Sequence, residues 1–369
     1  SHATINAGGG TLTLTGGLAK NGTTLTILGG GTVNITTNGI TGSASNSDLV
    51  VDGTTVVLSA PSTYNGPTTI QNSGILRLGN SNVLPTSPAT PMTINTNSIF
   101  DLASYSDRVA SLSGDSSATV KNSVTGSTST FTVNPSLGIS TTFNGVISGT
   151  NGGTQGNLIL QKDGAGTLIL TGQNTFSAAT TVNDGTLIAA AVSGNSLGFT
   201  SNITVNSGAT LLLGSNDQIN NTGTITLDGG TLAKGDFSEG AANTVGISTL
   251  ALTAAGSHLD FGTGNVGVLT FDLFNSGGHS LTIDNWSGAP GLEGSDTTDR
   301  LIFASNQTLN LSSFIFTGYG EAMEIDLGNG FYEIVAAVPE PGTYISGVLL
   351  LAFLLLHHRK QLSELLRRS

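Results

Sequence analysis

A long internal repeat constrains the fold of this 369-residue chain more than any other feature. Residues 58–70 (LSAPSTYNGPTTI) align without a gap with residues 170–182 (LTGQNTFSAATTV), at an offset of 112. The similarity continues between residues 92–102 and 203–213 at an offset of 111. Self-similarity at a fixed period is typical of solenoids, in which each unit packs on the next. We therefore expect two super-repeats, at about 57–150 and 169–255.

Short apolar runs separated by turn residues give the repeat its local pattern. Residues 158–160, 168–170 and 180–182 are leucine-rich or β-branched, and each is bounded by Gly, Asn or Asp. Gly164 and Gly166 allow the backbone conformations that tight turns require. The pattern predicts several strands in about thirty residues and no helix.

Composition agrees with a chain rich in turns. There are 52 glycines, and charged residues make up 9% of the chain, against about 25% in ordinary domains. The hydrophobic share of 37% is ample for a core. Strand alternation predicts that Leu12 and Leu14 point inward while Thr11 and Thr13 face solvent. The chain has no cysteine, which excludes disulfides and thiolate chemistry.

The central segment resembles the autotransporter-associated β-strand repeat of bacterial surface and secreted proteins. The matching signature is Lys162, Gly164, Gly166, Leu168, Leu170, Gly172, Asn174, Thr175, Phe176, Val182, Gly185 and Leu187. The earlier copy is degenerate, with Ala60 in place of the glycine and Ser62 in place of the asparagine. The resemblance implies parallel β-helices whose repeats carry no active site of their own.

These observations predict an all-β chain, folded as a right-handed parallel β-helix (β-solenoid) over residues 1–255. Residues 256–336 are richer in aromatic residues, and we expect them to form a β-rich terminal cap that closes the core. This unit also resembles a segment found before the sorting tail of many such repeat proteins. The resemblance rests on an L-x-I-x-N-W-x-G string at Leu281, Ile283, Asn285, Trp286 and Gly288.

Residues 337–369 resemble a PEP-CTERM sorting signal, in which a Pro-Glu-Pro motif, one membrane helix and a basic end direct an exported protein to an exosortase. The resemblance implies that Pro339, Glu340 and Pro341 are recognised by that processing enzyme. It also implies a membrane helix at 343–358. The basic tail consists of Arg359, Lys360, Arg367 and Arg368.

The hydrophobic run in this tail is short. About 14 apolar residues from Thr343 extend about 21 Å, against a hydrocarbon core of about 30 Å. A short helix lying in the membrane interface therefore stays open as an alternative to a spanning helix. Because basic residues remain on the cytoplasmic side, residues 1–338 belong outside the inner membrane, as a transient anchored intermediate.

Charge excludes one class of partner. Residues 1–338 hold 7 basic and 21 acidic side chains, a net charge of −14. A surface so poor in cations cannot neutralise several phosphates, so we expect no nucleic acid.

Two catalytic-looking strings have structural explanations. Residues 262–267 (GTGNVG) match a dinucleotide fingerprint, but residues 268–273 predict a strand where a helix should begin. Residues 194–198 (GNSLG) match a nucleophile elbow, yet a strand follows them as well. We therefore expect no catalytic residue in either string.

No metal or cofactor is expected either. His258 and His279 are separated by 21 residues, which disfavours a shared metal site. The loop at 291–299 could offer oxygen ligands to Ca²⁺, although a solvated turn is the simpler interpretation.

Three functional hypotheses follow. The first is a non-enzymatic exported structural or adhesion protein of the cell surface or extracellular matrix, sorted by its tail, with an extracellular polysaccharide as a candidate partner. The second is a carbohydrate-active β-helix protein that binds or cleaves polysaccharide; it rests on fold analogy, because the acids are scattered. The third is a fragment of an autotransporter passenger. Because the chain begins at Ser1-His2 without a signal sequence, we expect a fragment of a longer protein.

Overall fold

Parallel coils stacked along one axis make up most of this protein, as the sequence predicts. The computed structural model describes residues 2–149, 155–197 and 199–338. Within these ranges the only helix is a short 3₁₀ segment, Thr308–Ser313, so the all-β prediction is confirmed. Equivalent strands of successive coils pair in parallel, which confirms the β-solenoid.

One long sheet runs through the whole stack and contains 14 parallel strands. In order, the strands are His2–Asn6, Thr24–Leu28, Leu49–Asp52, Thr68–Gln71, Pro91–Ile94, Ser111–Gly114, Ser140–Phe143, Thr167–Leu170, Thr186–Ala189, Thr210–Leu213, Thr231–Ala233, Ser257–Asp260, Leu281–Asp284 and Phe314–Phe316. At a strand separation of about 4.8 Å, this sheet is about 60 Å long.

Two further sheets, which we call the first and second lateral sheets, cover different parts of the stack. The first consists of Thr11–Leu14, Thr32–Ile35, Thr55–Leu58, Ile75–Leu78, Ile99–Asp101, Thr119–Lys121 and Val146–Ser148. The second consists of Asp107–Val109, Thr128–Val133, Asn157–Lys162, Thr180–Val182, Asn202–Asn206, Thr224–Asp228, Ile247–Ala254, Val268–Asn275, Arg300–Phe303, Ala322–Asp326 and Tyr332–Ala336. A short parallel sheet, Leu18–Ala19, Ile40–Gly42 and Thr63–Tyr64, lies at one corner, and Gly240–Ala241 pairs antiparallel with Thr244–Val245.

Columns of aliphatic side chains fill the interior. On the long sheet, Leu168 lies in register with Leu187, which continues to Leu211, Leu232 and Leu259. All five side chains are fully buried. Burial of one such side chain contributes about 1.5–3 kcal/mol, so each column stabilises several coils together.

The first coil departs from the predicted alternation. Leu14 is half-buried, but Leu12 is 36% exposed. Their strand, Thr11–Leu14, is the terminal strand of the first lateral sheet. Leu12 is therefore less buried than the sequence predicts, because no described coil covers the outer side of this strand.

The two copies of the internal repeat occupy different faces of the solenoid. Strand Thr55–Leu58 belongs to the first lateral sheet, whereas the aligned strand Thr167–Leu170 belongs to the long sheet. Strand Thr68–Gln71 belongs to the long sheet, and its counterpart Thr180–Val182 to the second lateral sheet. The second copy is thus rotated by one face relative to the first.

Between the copies, the chain forms strands on all three faces in each coil. One such coil contains Asp107–Val109, Ser111–Gly114 and Thr119–Lys121, which belong to the second lateral, long and first lateral sheets respectively. This extra strand accounts for the rotation of the second copy by one face.

Residues 256–336 contain two kinds of structure. The parallel coils continue as far as Phe314–Phe316. The chain then reverses: Tyr332–Ala336 pairs antiparallel with both Arg300–Phe303 and Ala322–Asp326. This antiparallel hairpin forms the last two strands of the second lateral sheet and ends its series of parallel strands.

Candidate functional site

The repeat signature combines inward strand residues with glycines that lie at close contacts between coils. Leu168, Leu170, Val182 and Leu187 are inward residues of strands and are fully buried. A side chain at Gly172 would place its Cβ 1.9 Å from the carbonyl oxygen of the preceding coil. The glycine therefore permits tight contact between coils.

Gly185 combines close contact with a left-handed backbone. It has a φ of 62°, and a Cβ there would lie 2.4 Å from the carbonyl oxygen of Gly166. Gly164 is also left-handed, with a φ of 73°. Only glycine suits both requirements without strain.

Lys162 is fully buried, although it carries an ammonium group. Its Nζ donates hydrogen bonds to the carbonyl oxygens of Asp163, Gly164 and Asp184, at 3.1, 2.7 and 2.8 Å. Burial lowers the pKa of Lys162 to about 8, and the charges of Asp184 and Asp163 oppose that shift. The side chain joins the turn of its own coil to the turn of the next coil.

Two other lysines do the same without having been predicted. Nζ of Lys20 lies 2.5 Å from the carbonyl oxygens of both Ser47 and Asp48, and 4.6 Å from the centre of the Tyr64 ring. Nζ of Lys234 donates to Gly235 and Asn265. The sequence signal is a lysine directly after, or at the end of, an alternating strand.

Asn174 holds three coils together through its amide. Its Oδ1 accepts from the backbone N–H of Ile147 at 2.7 Å, and its Nδ2 donates to the carbonyl of Ser196 at 2.8 Å. Phe176 lies beside it and is buried. In the first copy of the repeat, Ser62 occupies the equivalent position, and its hydroxyl oxygen accepts from the backbone N–H of Ile40 at 3.1 Å.

Asn174 begins a corner column of buried polar side chains, which we define as Asn174, Ser196, Gln218 and Glu239. Oδ1 of Asn174, Oε1 of Gln218 and both carboxylate oxygens of Glu239 accept backbone N–H groups from the preceding coil. Burial raises the pKa of Glu239 well above its usual value, despite these hydrogen bonds. The spacing of 21 or 22 residues was the signal that could have revealed the column.

Residues 262–267 and Ser196, from the two catalytic-looking strings, lie beside a strand of the solenoid and within its core respectively. The strand Val268–Asn275 directly follows residues 262–267, so no helix begins there and that prediction is confirmed. Ser196, in the elbow-like string, is fully buried and donates its hydroxyl to the carbonyl of Leu170 at 3.0 Å.

The acidic loop at 291–299 is tied to its surroundings. Asp299 accepts from Ser287 Oγ at 2.7 Å and lies 3.3 Å from Nζ of Lys234. Glu293 pairs with Arg300 at 3.2 Å. Among the described residues, no group of three or more His, Asp or Glu side chains is arranged to hold a metal ion.

The N-W-x-G string is explained by packing. The indole of Trp286 is buried, donates to the carbonyl of Asp299 at 2.9 Å and meets the Phe316 ring edge-on at 4.8 Å. A Cβ at Gly288 would lie 2.0 Å from the indole, so the ring covers the glycine. Asn285 precedes the tryptophan with a φ of 56°.

The sorting signal falls outside the described residues. Pro339, Glu340 and Pro341, the helix predicted at 343–358 and the basic tail of Arg359, Lys360, Arg367 and Arg368 all lie there. Within residues 2–338, apart from the gaps given above, no helix has the length and apolar character needed to span a bilayer. These residues therefore stay predictions from the sequence.

The stacked coils and the contacts between their turns define a solenoid repeat protein. The family model of the passenger-associated-transport-repeat matches residues 50–78 and 160–189. The chain thus carries passenger-associated-transport repeats, which confirms the autotransporter-associated repeat expected from the sequence. Comparison with curated proteins found no match. Repeats of this kind fit a passenger-like protein that is exported and displayed at the surface.

Proposed function

We propose that this chain is a stiff, non-enzymatic rod that serves spacing, adhesion or matrix association at the cell surface. The continuous long sheet carries the proposal: 14 strands pair without interruption from His2–Asn6 to Phe314–Phe316. A ladder of this kind resists bending because every coil is hydrogen-bonded to its neighbours. The outward threonines and serines suit a polar extracellular setting.

The contacts of three buried acidic side chains support a structural role for this chain. Glu239 accepts two backbone N–H groups, Asp299 lies beside Lys234, and Glu333 pairs with Arg300 at 2.7 Å. These three carboxylates are therefore each engaged by the fold through at least one oxygen, while Oε1 of Glu333 is buried without a hydrogen-bond partner. A glycoside hydrolase or a lyase needs carboxylates free to act on a substrate.

Surface labelling tests the display of the rod directly, because the chain has no native cysteine. Ser45 is exposed, whereas Ser129 is fully buried. On intact cells, a membrane-impermeant maleimide should label Ser45→Cys and leave Ser129→Cys unlabelled. Denaturant should expose the Ser129→Cys thiol as well. Labelling of Ser45→Cys only after cell breakage would contradict surface display.

Sorting through the tail is a separate part of the proposal. We infer that an exosortase-type enzyme recognises Pro339, Glu340 and Pro341, while the helix at 343–358 holds an inner-membrane intermediate. The rod would then pass to the envelope surface or the extracellular matrix. The motif, apolar run and basic end in this order support the inference.

Peptide mapping of the C-terminus tests that sorting step. Protein should be recovered separately from the membrane and extracellular fractions and mapped by mass spectrometry. An extracellular form ending near residues 339–342 is expected. Recovery only of membrane-bound protein that still carries Arg367 and Arg368 would replace sorting with permanent anchoring.

A further inference from the structure

The second lateral sheet begins with a polar groove. The corner at residues 79–90 contains no regular strand, and the first strand of the sheet, Asp107–Val109, lies beside it. A concavity of about 270 Å³ opens here, and Asn82, Ser106, Arg108, Thr132, Gln161 and Asp163 contribute to its lining. An otherwise regular face thus contains a depression at the point where its strands start.

Arg108 supplies a partly exposed guanidinium to this groove. Its NH2 group lies 3.4 Å from Oδ2 of Asp163, which is a long contact for an ion pair. Its Nε is buried and has no hydrogen-bond partner among the described residues. The Arg108 side chain as a whole is 38% exposed, so the outer N–H groups of its guanidinium can donate to a ligand oxygen in the groove.

A row of polar side chains leads away from the groove along the rod. Arg108 is in register with Thr132, which is in register with Gln161. The same row continues on the following coils through Thr181, Thr204 and Thr226. We call these six residues the polar track. Its members are about 4.8 Å apart, the spacing of parallel strands.

We propose that the groove and the polar track bind a neutral linear polysaccharide lying parallel to the axis of the rod. This inference deepens the proposed function and rests on it for the setting in which the polymer is met. A sugar hydroxyl both donates and accepts, so it matches the adjacent Arg108 donor and Asp163 acceptor. Each sugar residue lengthens an extended polymer by roughly the distance between neighbouring coils.

Charge favours a neutral polymer over an anionic one. The Arg108 cation is the only base among the groove residues, and Asp163 lies beside it. Asp107 also lines the groove, and its nearly buried carboxylate accepts the backbone N–H groups of Val83, Leu84 and Arg108. A uronate carboxylate would meet two acids for one base, and repulsion would offset its contact with the guanidinium.

A length series of oligosaccharides tests the proposal with purified protein. Isothermal titration with cellotriose and cellohexaose should give an affinity for the hexasaccharide at least about tenfold higher, because added sugars bind an already positioned chain. Arg108→Gln should weaken binding of both ligands by about tenfold, since the charged donor is lost. Thr204→Val keeps the side-chain shape and should reduce only the gain in affinity with length.

Arg77→Gln is the matched control, because Arg77 lies on the first lateral sheet and its Nε already pairs with Asp101 at 2.9 Å. It should leave binding unchanged. The proposal is overturned if neither ligand binds at millimolar concentration, if Arg77→Gln and Arg108→Gln weaken binding equally, or if a hexauronate binds more tightly than cellohexaose. None of these outcomes affects the labelling test of surface display, so the two proposals fail separately.

Discussion

The repeat region and the C-terminal closing region solve the same physical problem differently. Lys162, in the repeats, is buried against three neutral carbonyl oxygens. Arg300, in the closing region, is buried against carboxylates and pairs with Glu333 at 2.7 Å and Glu293 at 3.2 Å. Lys234 lies between the two cases, with two carbonyl acceptors and Asp299 at 3.3 Å.

The cores of the two regions also differ in the kind of side chain that fills them. Aliphatic side chains predominate in the repeats, where Phe100 and Phe131 form one aromatic pair. Near the C-terminal end, a larger aromatic cluster has ring centres 4.5 to 5.9 Å apart and consists of Phe271, Phe274, Phe303 and Phe314. Inside the stack, neighbouring coils offer turn carbonyls to the buried lysines and aliphatic side chains to the core. Where the parallel coils end, a hairpin covers the last coil, Glu333 neutralises the buried cation and aromatic rings fill the core.

The largest effect should follow removal of the counter-ion. Oε2 of Glu333 accepts from Nε and NH2 of Arg300 and from the backbone N–H of Gly294. Glu333→Ala leaves a buried guanidinium without this partner and should cost about 3–5 kcal/mol of unfolding free energy. Urea denaturation followed by circular dichroism would measure the change.

Glu293→Ala is the control for this variant, because the Glu293 side chain is 56% exposed. An exposed pair contributes about 0–1 kcal/mol, so this variant should be nearly as stable as the wild type. Equal losses for the two variants would contradict the distinction between buried and exposed partners. Amide hydrogen exchange should place the loss in coils near Arg300, since a solenoid couples mainly adjacent coils.

In the repeats, the largest effect should come from the asparagine that joins three coils. Asn174→Ala orphans the buried N–H of Ile147 and the carbonyl of Ser196, at a cost of about 1–3 kcal/mol for each group. Asn174→Ser should lose less, because Ser62 accepts the equivalent N–H in the first copy. Denaturation midpoints would rank the three proteins, and a serine variant no more stable than the alanine variant would refute this explanation.

These contacts show which features sequence could predict. Alternation of apolar residues with turn glycines specifies parallel strands such as Thr167–Leu170, because the side-chain period of two is local information. The rotation of the second repeat by one face depends on the extra strand per coil around residues 107–148, and an alignment of the two copies does not reveal it.

The candidate site was less predictable still. Lys162 was noticed through the repeat signature, but its contact with the carbonyl of Asp184 comes from the next coil and exists only in the folded stack. Sequence reasoning did not single out Glu239, because its partners Gln218 and Ile219 lie about one coil away. The unpaired Nε of Arg108 follows from an interrupted corner, which is a property of the tertiary structure.

The closing region should tolerate little change under its indole ring. Gly288→Ala places a methyl group 2.0 Å from the Trp286 ring, which must then move from its contact with Phe316. Overpacking of this kind costs about 1–3 kcal/mol. Tryptophan fluorescence should shift in the same variant, because Trp286 is the only tryptophan. Gly9→Ala is the control, since nothing lies within 4 Å of its added Cβ; a similar loss there would disprove the packing argument.

The last prediction concerns pH and separates the buried lysines from the ion pair. Burial lowers the pKa of Lys162 and of Lys20 from 10.5 to about 8. Between about pH 8 and 10.5, the unfolded chain keeps protons that the folded protein has released, so these groups make stability rise with pH. Below about pH 8 the lysines are protonated in both states, and their contribution no longer changes with pH.

Lys162→Met removes one of these titrations. The gain in urea midpoint between pH 8 and pH 10 should therefore be smaller in Lys162→Met than in the wild type, and smaller again in a Lys20→Met, Lys162→Met double variant. Comparing gains within each protein cancels the stability lost when methionine leaves the turn carbonyls without a donor. Equal gains in all three proteins would mean that the carbonyl oxygens hold both ammonium groups charged throughout this range. The repeats would then stabilise a buried cation as well as the carboxylate of Glu333 does, without using a counter-ion.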